Sequence, residues 1–171
     1  MAGPRILVVY ASRNGSTAQI AGWIAGTAAE RGVAATVRPA AEVGDISGYD
    51  AVVLGSGVYA GRWLKDARRF ARHHRRALLE VPVWLFSSGP LDDDAAERAV
   101  PPLRNAARIT ERLDAADHVT FGGRLVAGAP GFVARQLLGQ GRAGDHRDRG
   151  QIRAWAVRIA DGVAAAWHQL I

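Results

Sequence analysis

The chain has 171 residues, 49% of them hydrophobic, and a formal net charge of +6. It is long enough to bury one sizeable core, and nothing in the composition divides it, so a single domain over residues 1–171 is expected. It contains no cysteine, which excludes disulfides, thiolate metal sites and a cysteine nucleophile.

Strand formers begin by Ile6, so a signal peptide is not expected. No apolar run approaches the roughly 20 residues of a membrane span, and a cytoplasmic protein is expected. The basic residues are almost all arginine, with Lys65 the only lysine. Together with the abundant alanine, this suggests drift in a GC-rich genome, so where the charge lies matters more than its total.

In chain order, Ile6–Tyr10 reads as a strand. It runs into a polar loop, Ser12-Arg13-Asn14-Gly15-Ser16-Thr17. A helix patterned on Ile20, Trp23 and Ile24 follows from Ser16 to Arg31. Strand, polar loop and helix N-terminus form a geometry suited to a phosphate, because backbone N–H groups and the helix dipole both favour an anion. Ser12, Asn14, Ser16 and Thr17 add side-chain hydrogen-bonding groups, and Gly15 allows close backbone approach. The plainer alternative is a βα turn with one capping hydroxyl. The loop lacks the lysine of a triphosphate loop and the glycines of a dinucleotide fingerprint, so a terminal monophosphate is the expected ligand.

Ala35–Arg38 reads as a short strand and Ala51–Leu54 as a buried one. The stretch Gly55–Trp63 then reads as a flexible loop carrying Ser56, Gly57, Val58, Tyr59, Gly61 and Trp63. Its aromatics suit a flat ring, or else they pack on the next helix. Residues 62–76, RWLKDARRFARHHRR, concentrate basic charge. Over Leu64–Leu78, helical spacing puts Leu64, Ala67, Phe70, Ala71 and His74 on one face, with Lys65, Arg68, Arg69, Arg72 and Arg76 largely on the other. That face is either solvated or a dock for an acidic protein or an anionic membrane surface. Few aromatics interleave with the charge, so nucleic acid is not expected.

Val83–Ser87 reads as a strand leading to a second polar loop, Ser87-Ser88-Gly89-Pro90. Asp93–Leu113 is mostly helical, interrupted near Pro101-Pro102. His118–Phe121 is the fifth strand, and Gln151–Gln169 the closing helix, with Ile152, Trp155, Ile159, Val163 and Trp167 inward. Asp92-Asp93-Asp94 reads as helix-start carboxylates and not as a metal site. Asp145, His146 and Asp148 are expected to order a loop. No metal site is expected, and no catalytic residue is assigned. Strands alternating with helices imply an α/β fold, a parallel sheet covered on both faces. Ligands of such sheets sit beyond the carboxyl ends of the strands. Polar loops end the first, third and fourth strands, the footprint of a planar ring with a phosphate tail.

The stretches VVYASRNGSTAQIA, YDAVVLGSGVYAGRW, PVWLFSSGP and GDHRD at Gly144–Asp148 resemble the flavodoxin-like domain family. Within it they are most similar to bacterial proteins related to menaquinone-dependent protoporphyrinogen dehydrogenase. The resemblance implies a flavodoxin-like sheet of five parallel strands in the order 2-1-3-4-5, with an inserted segment at about 126–149. It implies flavin mononucleotide (FMN) as cofactor. Residues 12–17 would hold its phosphate, Ser56, Gly57, Val58, Tyr59, Gly61 and Trp63 one side of the isoalloxazine, and Ser87, Ser88, Gly89 and Pro90 the other. It implies a flavin-dependent oxidoreductase that passes electrons to a quinone or a redox partner protein. An electron carrier, or a fold retained without cofactor as a binding module, are the alternatives.

Overall fold

The computed structural model describes residues 2–89, 104–122, 124–125, 144–145 and 147–171. Runs of β-branched and aliphatic residues form the central strands. These are β1 (Arg5–Ala11), β2 (Ala34–Pro39), β3 (Ala51–Tyr59), β5 (Val83–Gly89) and β6 (Asp117–Gly122). They pair in parallel in the order β2-β1-β3-β5-β6, the flavodoxin-like order expected. A short strand β4 (Arg62–Trp63) turns back antiparallel on the end of β3.

The alternation of side chains along each strand divides the core in two. Ile6, Val8, Ala51, Val53 and Phe86 point to one face. There α1 (Ser16–Glu30) and the closing helix α5 (Arg149–Leu170) cover them with Ile20, Ile24, Ile152, Trp155 and Ile159. Leu7, Val9, Val52, Leu54 and Leu85 point to the other. That face is covered by α2 (Lys65–His73), α3 (Arg75–Leu78) and α4 (Arg104–Leu113), through Ala67, Phe70, Leu78, Ala106 and Leu113. At its C-terminus α1 is closed by Gly32 at φ +82°, with the Val33 N–H on the Ala28 carbonyl at 3.0 Å. Asp148 caps α5 by accepting from the Gln151 N–H at 3.0 Å, so this residue of the GDHRD stretch orders a helix start.

Two expectations change. The basic helix is broken into α2 and α3 at His74. The stretch Gly55–Tyr59 is not a loop but a continuation of β3. Gly55 is there for packing: a Cβ on it would lie 2.0–2.4 Å from the Phe86 ring. The reversal is confined to Ala60 (φ +51°) and Gly61 (φ +72°), the two central residues of a tight hairpin turn. Asp92-Asp93-Asp94, the first part of the helix expected from Asp93, and most of segment 126–149 lie outside the described residues.

Candidate functional site

The carboxyl ends of β1, β3 and β5 lie side by side, with Ala11 opposite Ser56, Ser56 opposite Ser87 and Gly57 opposite Ser88. The strand order reverses here: β1 leads by α1 to β2 on one side, and β3 lies on its other side. Crevices at such a reversal are where open parallel sheets take ligands.

The first loop is folded by its own hydroxyl. Ser12 Oγ accepts from the Gly15 N–H at 3.0 Å, and Gly15 takes the left-handed conformation (φ +83°) that starts α1. Among the described residues the α1 N-terminus has no side-chain cap hydrogen bond, and its first turn holds no acidic residue, so its dipole favours an anion there. Thr17 is buried within this turn. A Cβ on Gly57 would stand 3.3 Å from Thr17 Oγ1 and 2.9 Å from the Tyr59 ring. Glycine at 57 therefore lets Tyr59 fold back toward α1. Asn14 Nδ2 donates to the Tyr59 hydroxyl at 3.0 Å, and the Arg13 guanidinium lies 5.1 Å from the tyrosine ring centroid. Burial pushes the Tyr59 phenol above its ordinary pKa, against the opposing pull of Arg13 and Asn14. Asn14 Oδ1 is buried and has no hydrogen-bond partner among the described residues. Ser88 is 4% exposed, on the same side as Gly57, and its hydroxyl makes no hydrogen bond among the described residues.

The fold thus brings together Ser12, Arg13, Asn14, Gly15, Thr17, Gly57, Tyr59 and Ser88. Val58 and Gly89, one residue further along each strand, fall on the other side with Ser56 and Ser87: Val58 packs on the core beneath α2 and α4, and a Cβ on Gly89 would fall 3.5 Å from Val58 Cβ. Gly61 sits at the exposed hairpin tip. Pro90 lies outside the described residues.

Three more of the expected ring-lining residues point elsewhere. Trp63 is 1% exposed and belongs to the core on the α2 and α4 side, so the packing alternative holds for it. Its Nε1–H donates to Ser87 Oγ at 2.7 Å, and Ser87 Oγ lies 2.9 Å from His118 Nε2. Ser56 Oγ donates to the Gly57 carbonyl and accepts from the Leu64 N–H at 2.9 Å, fixing the return of the hairpin. Ser56 and Ser87 are fully buried. The physical reason is strand alternation: once β3 runs on to Tyr59, Ser56 shares the side of Val52 and Leu54, and Ser87 that of Leu85. His118 is the partner the sequence did not suggest. Burial holds its imidazole below the ordinary histidine pKa, with Asp117 opposing.

The fold is an open parallel α/β sheet with polar groups gathered at the β1, β3 and β5 ends. The sequence narrows this: residues 7–145 match the flavodoxin domain, and the chain belongs to that family. Solved structures agree on the fold. A flavodoxin from the domain Archaea superposes with a TM-score of 0.63 at 14% identity, covering 93% of this chain and 98% of that one. A WrbA-like flavodoxin from Agrobacterium tumefaciens gives 0.56 at 16% identity, covering 94% and 98%. Rubredoxin oxygen:oxidoreductase from Desulfovibrio gigas gives 0.64 at 15%, where the match covers 95% of this chain but 37% of that one. No curated protein sequence matches the chain.

Proposed function

We propose that the protein binds FMN at the β1, β3 and β5 ends and works as an electron-transferring flavoprotein. Members of the flavodoxin family bind flavin, usually FMN. The observation that carries the reading for this chain is the α1 N-terminus. Among the described residues no side chain caps it, its first turn holds no acidic residue, and a hydroxyl-rich loop leads into it. A dianionic phosphate is what such a terminus favours. Ser12, Thr17 and the N–H groups of the first turn of α1 would hold the phosphate. Asn14 Oδ1, an acceptor without a partner, suits a hydroxyl of the cofactor's sugar-alcohol chain. Tyr59, Gly57 and Ser88 would flank the ring. The flavin itself supplies one- and two-electron redox chemistry, and the chain supplies binding, orientation and electrostatics.

FMN should bind well above riboflavin. Two charge-assisted hydrogen bonds at about 1.5–3 kcal/mol each make Ser12→Ala/Thr17→Ala worth about 3 kcal/mol or more, roughly a hundredfold in Kd. Equal affinity for riboflavin, or an indifferent double variant, overturns the assignment.

The finer reading is a dehydrogenase of the protoporphyrinogen-dehydrogenase type, delivering electrons to a quinone or a protein acceptor. Its support is the stretches YDAVVLGSGVYAGRW and PVWLFSSGP. It requires that an organic substrate alone reduce the bound flavin. A carrier requires a reductase instead, and that result would reject the dehydrogenase.

A further inference from the structure

The α2 and α4 helices pack on the sheet face opposite α1, and a groove of about 210 Å³ runs between them. Arg68 and Arg72 line it from α2, Arg75 from the start of α3, and Arg108 and Arg112 from α4. The pairs 68/72 and 108/112 are one helical turn apart, where like charges repel. None of these guanidiniums has a hydrogen bond or ion pair among the described residues, whose ion pairs are Arg31–Asp161 and Arg153–Glu30. The floor is apolar, formed in part by Ile109 and Leu113. Asn105 also lines the groove, and both polar atoms of its side-chain amide are buried without a partner among the described residues. A solvated helix face explains scattered arginines. It does not explain a concave site where five converge from three helices beside an unsatisfied amide.

We propose that this groove binds a compact polyanion of the diphosphate class, a small molecule with clustered phosphate oxygens. Arginine forks from both walls take phosphate oxygens bidentately. Asn105 Nδ2 donates to another oxygen, and Asn105 Oδ1 accepts a guanidinium N–H once the arginines order. The ligand neutralises charge that otherwise repels across the groove. The site is separate from the first loop: it lies on the other face of the sheet.

The experiment is calorimetric titration of the FMN-saturated protein with inorganic pyrophosphate at fixed ionic strength, repeated on Ser12→Ala/Thr17→Ala protein without flavin. Using both backgrounds separates failure at the flavin loop from failure at the groove. One saturable site is expected in each. Arg72→Gln/Arg108→Gln should weaken it at least tenfold, and Asn105→Asp, which puts a carboxylate in the groove, should abolish it. Arg38→Gln/Arg158→Gln removes the same charge elsewhere and should leave the Kd within twofold. No saturable heat overturns the proposal. So does an equal loss in both arginine double variants, which would make the effect net charge alone. Hexaglutamate binding tighter than pyrophosphate also overturns it, in favour of an acidic protein partner.

Discussion

Gly55→Ala is a one-carbon change that should unsettle the whole centre of the molecule. The added Cβ would fall 2.0–2.4 Å from three atoms of the Phe86 ring, far inside van der Waals contact. The ring cannot simply swing away. Phe86 is fully buried, with Phe121 at 6.0 Å and Trp155 at 6.1 Å between ring centroids. Nor can the backbone retreat easily, because Gly55 is paired on both sides, to Tyr10 and to Phe86. Overpacking of this kind costs about 1–3 kcal/mol, and the absence of slack points to about 3. At about 2–4 °C per kcal/mol for a chain of this size, Tm should fall by roughly 6–12 °C. Urea unfolding followed by circular dichroism measures the free energy directly. Phe86→Leu in the same chain opens space beside residue 55, so the double variant should be less destabilised than the sum of the singles. If Gly55→Ala costs under about 0.5 kcal/mol, or the two changes add, the close packing of Phe86 over Gly55 is refuted.

Trp63→Phe should cost about 1–3 kcal/mol of stability by removing the Nε1–H that Ser87 Oγ accepts, yet leave the Kd for FMN within twofold, since Trp63 is 1% exposed. Denaturant titration and flavin titration of the same preparation separate the two effects, and a weakened flavin with unchanged stability would place Trp63 in the site after all. His118 and His74 are both held below the ordinary histidine pKa of about 6.5, chiefly by burial. The unfolded chain therefore takes up protons first as pH falls through about 6.5, and stability present above that pH should decline toward the lower folded-state values. His118→Gln should flatten the decline without removing it, because His74 remains; a slope between pH 7.5 and 5.5 identical to wild type would refute the burial of a neutral His118.

The sheet was legible in the sequence because its strands are continuous apolar runs between turn signals. Ile6–Val9 and Ala51–Leu54 are buried on both faces, and Val83–Phe86 is too apart from the half-buried Trp84, which is what such runs mean in a parallel sheet. The first loop was legible because it is contiguous: Ser12, Asn14, Gly15 and Thr17 need no distant partner to be recognised as a set. The continuation of β3 through Gly55-Ser56-Gly57 was not. Glycine argues against strand locally, and only the Phe86 ring, supplied from β5, shows why it is required at 55. The break at His74 was hidden too, since apolar spacing continues through it to Leu78. His118 was passed over because its partner lies 31 residues away, reached through strand register and not through any local pattern.

Register also decides which polar groups are available to a ligand. Ser56 and Ser87 are opposite one another and both turn toward α2 and α4, where hydrogen bonds to Leu64, Trp63 and His118 engage them. The next pair, Gly57 and Ser88, lies on the side of α1, where a Cβ on Gly57 would meet Thr17 and the Tyr59 ring. One step along two strands thus separates hydroxyls engaged by the fold from the groups on the side of α1. The same step separates the two aromatics of the hairpin. Tyr59 precedes the turn and reaches Asn14 across the site, while Trp63 follows it and enters the core. The two-residue turn at Ala60-Gly61 sets this division, because it fixes Val58 opposite Trp63 and Tyr59 opposite Arg62. A turn longer by one residue would shift that register and send Trp63 to the opposite side. On the proposed reading, the length of the hairpin therefore determines which aromatic ring a flavin would meet.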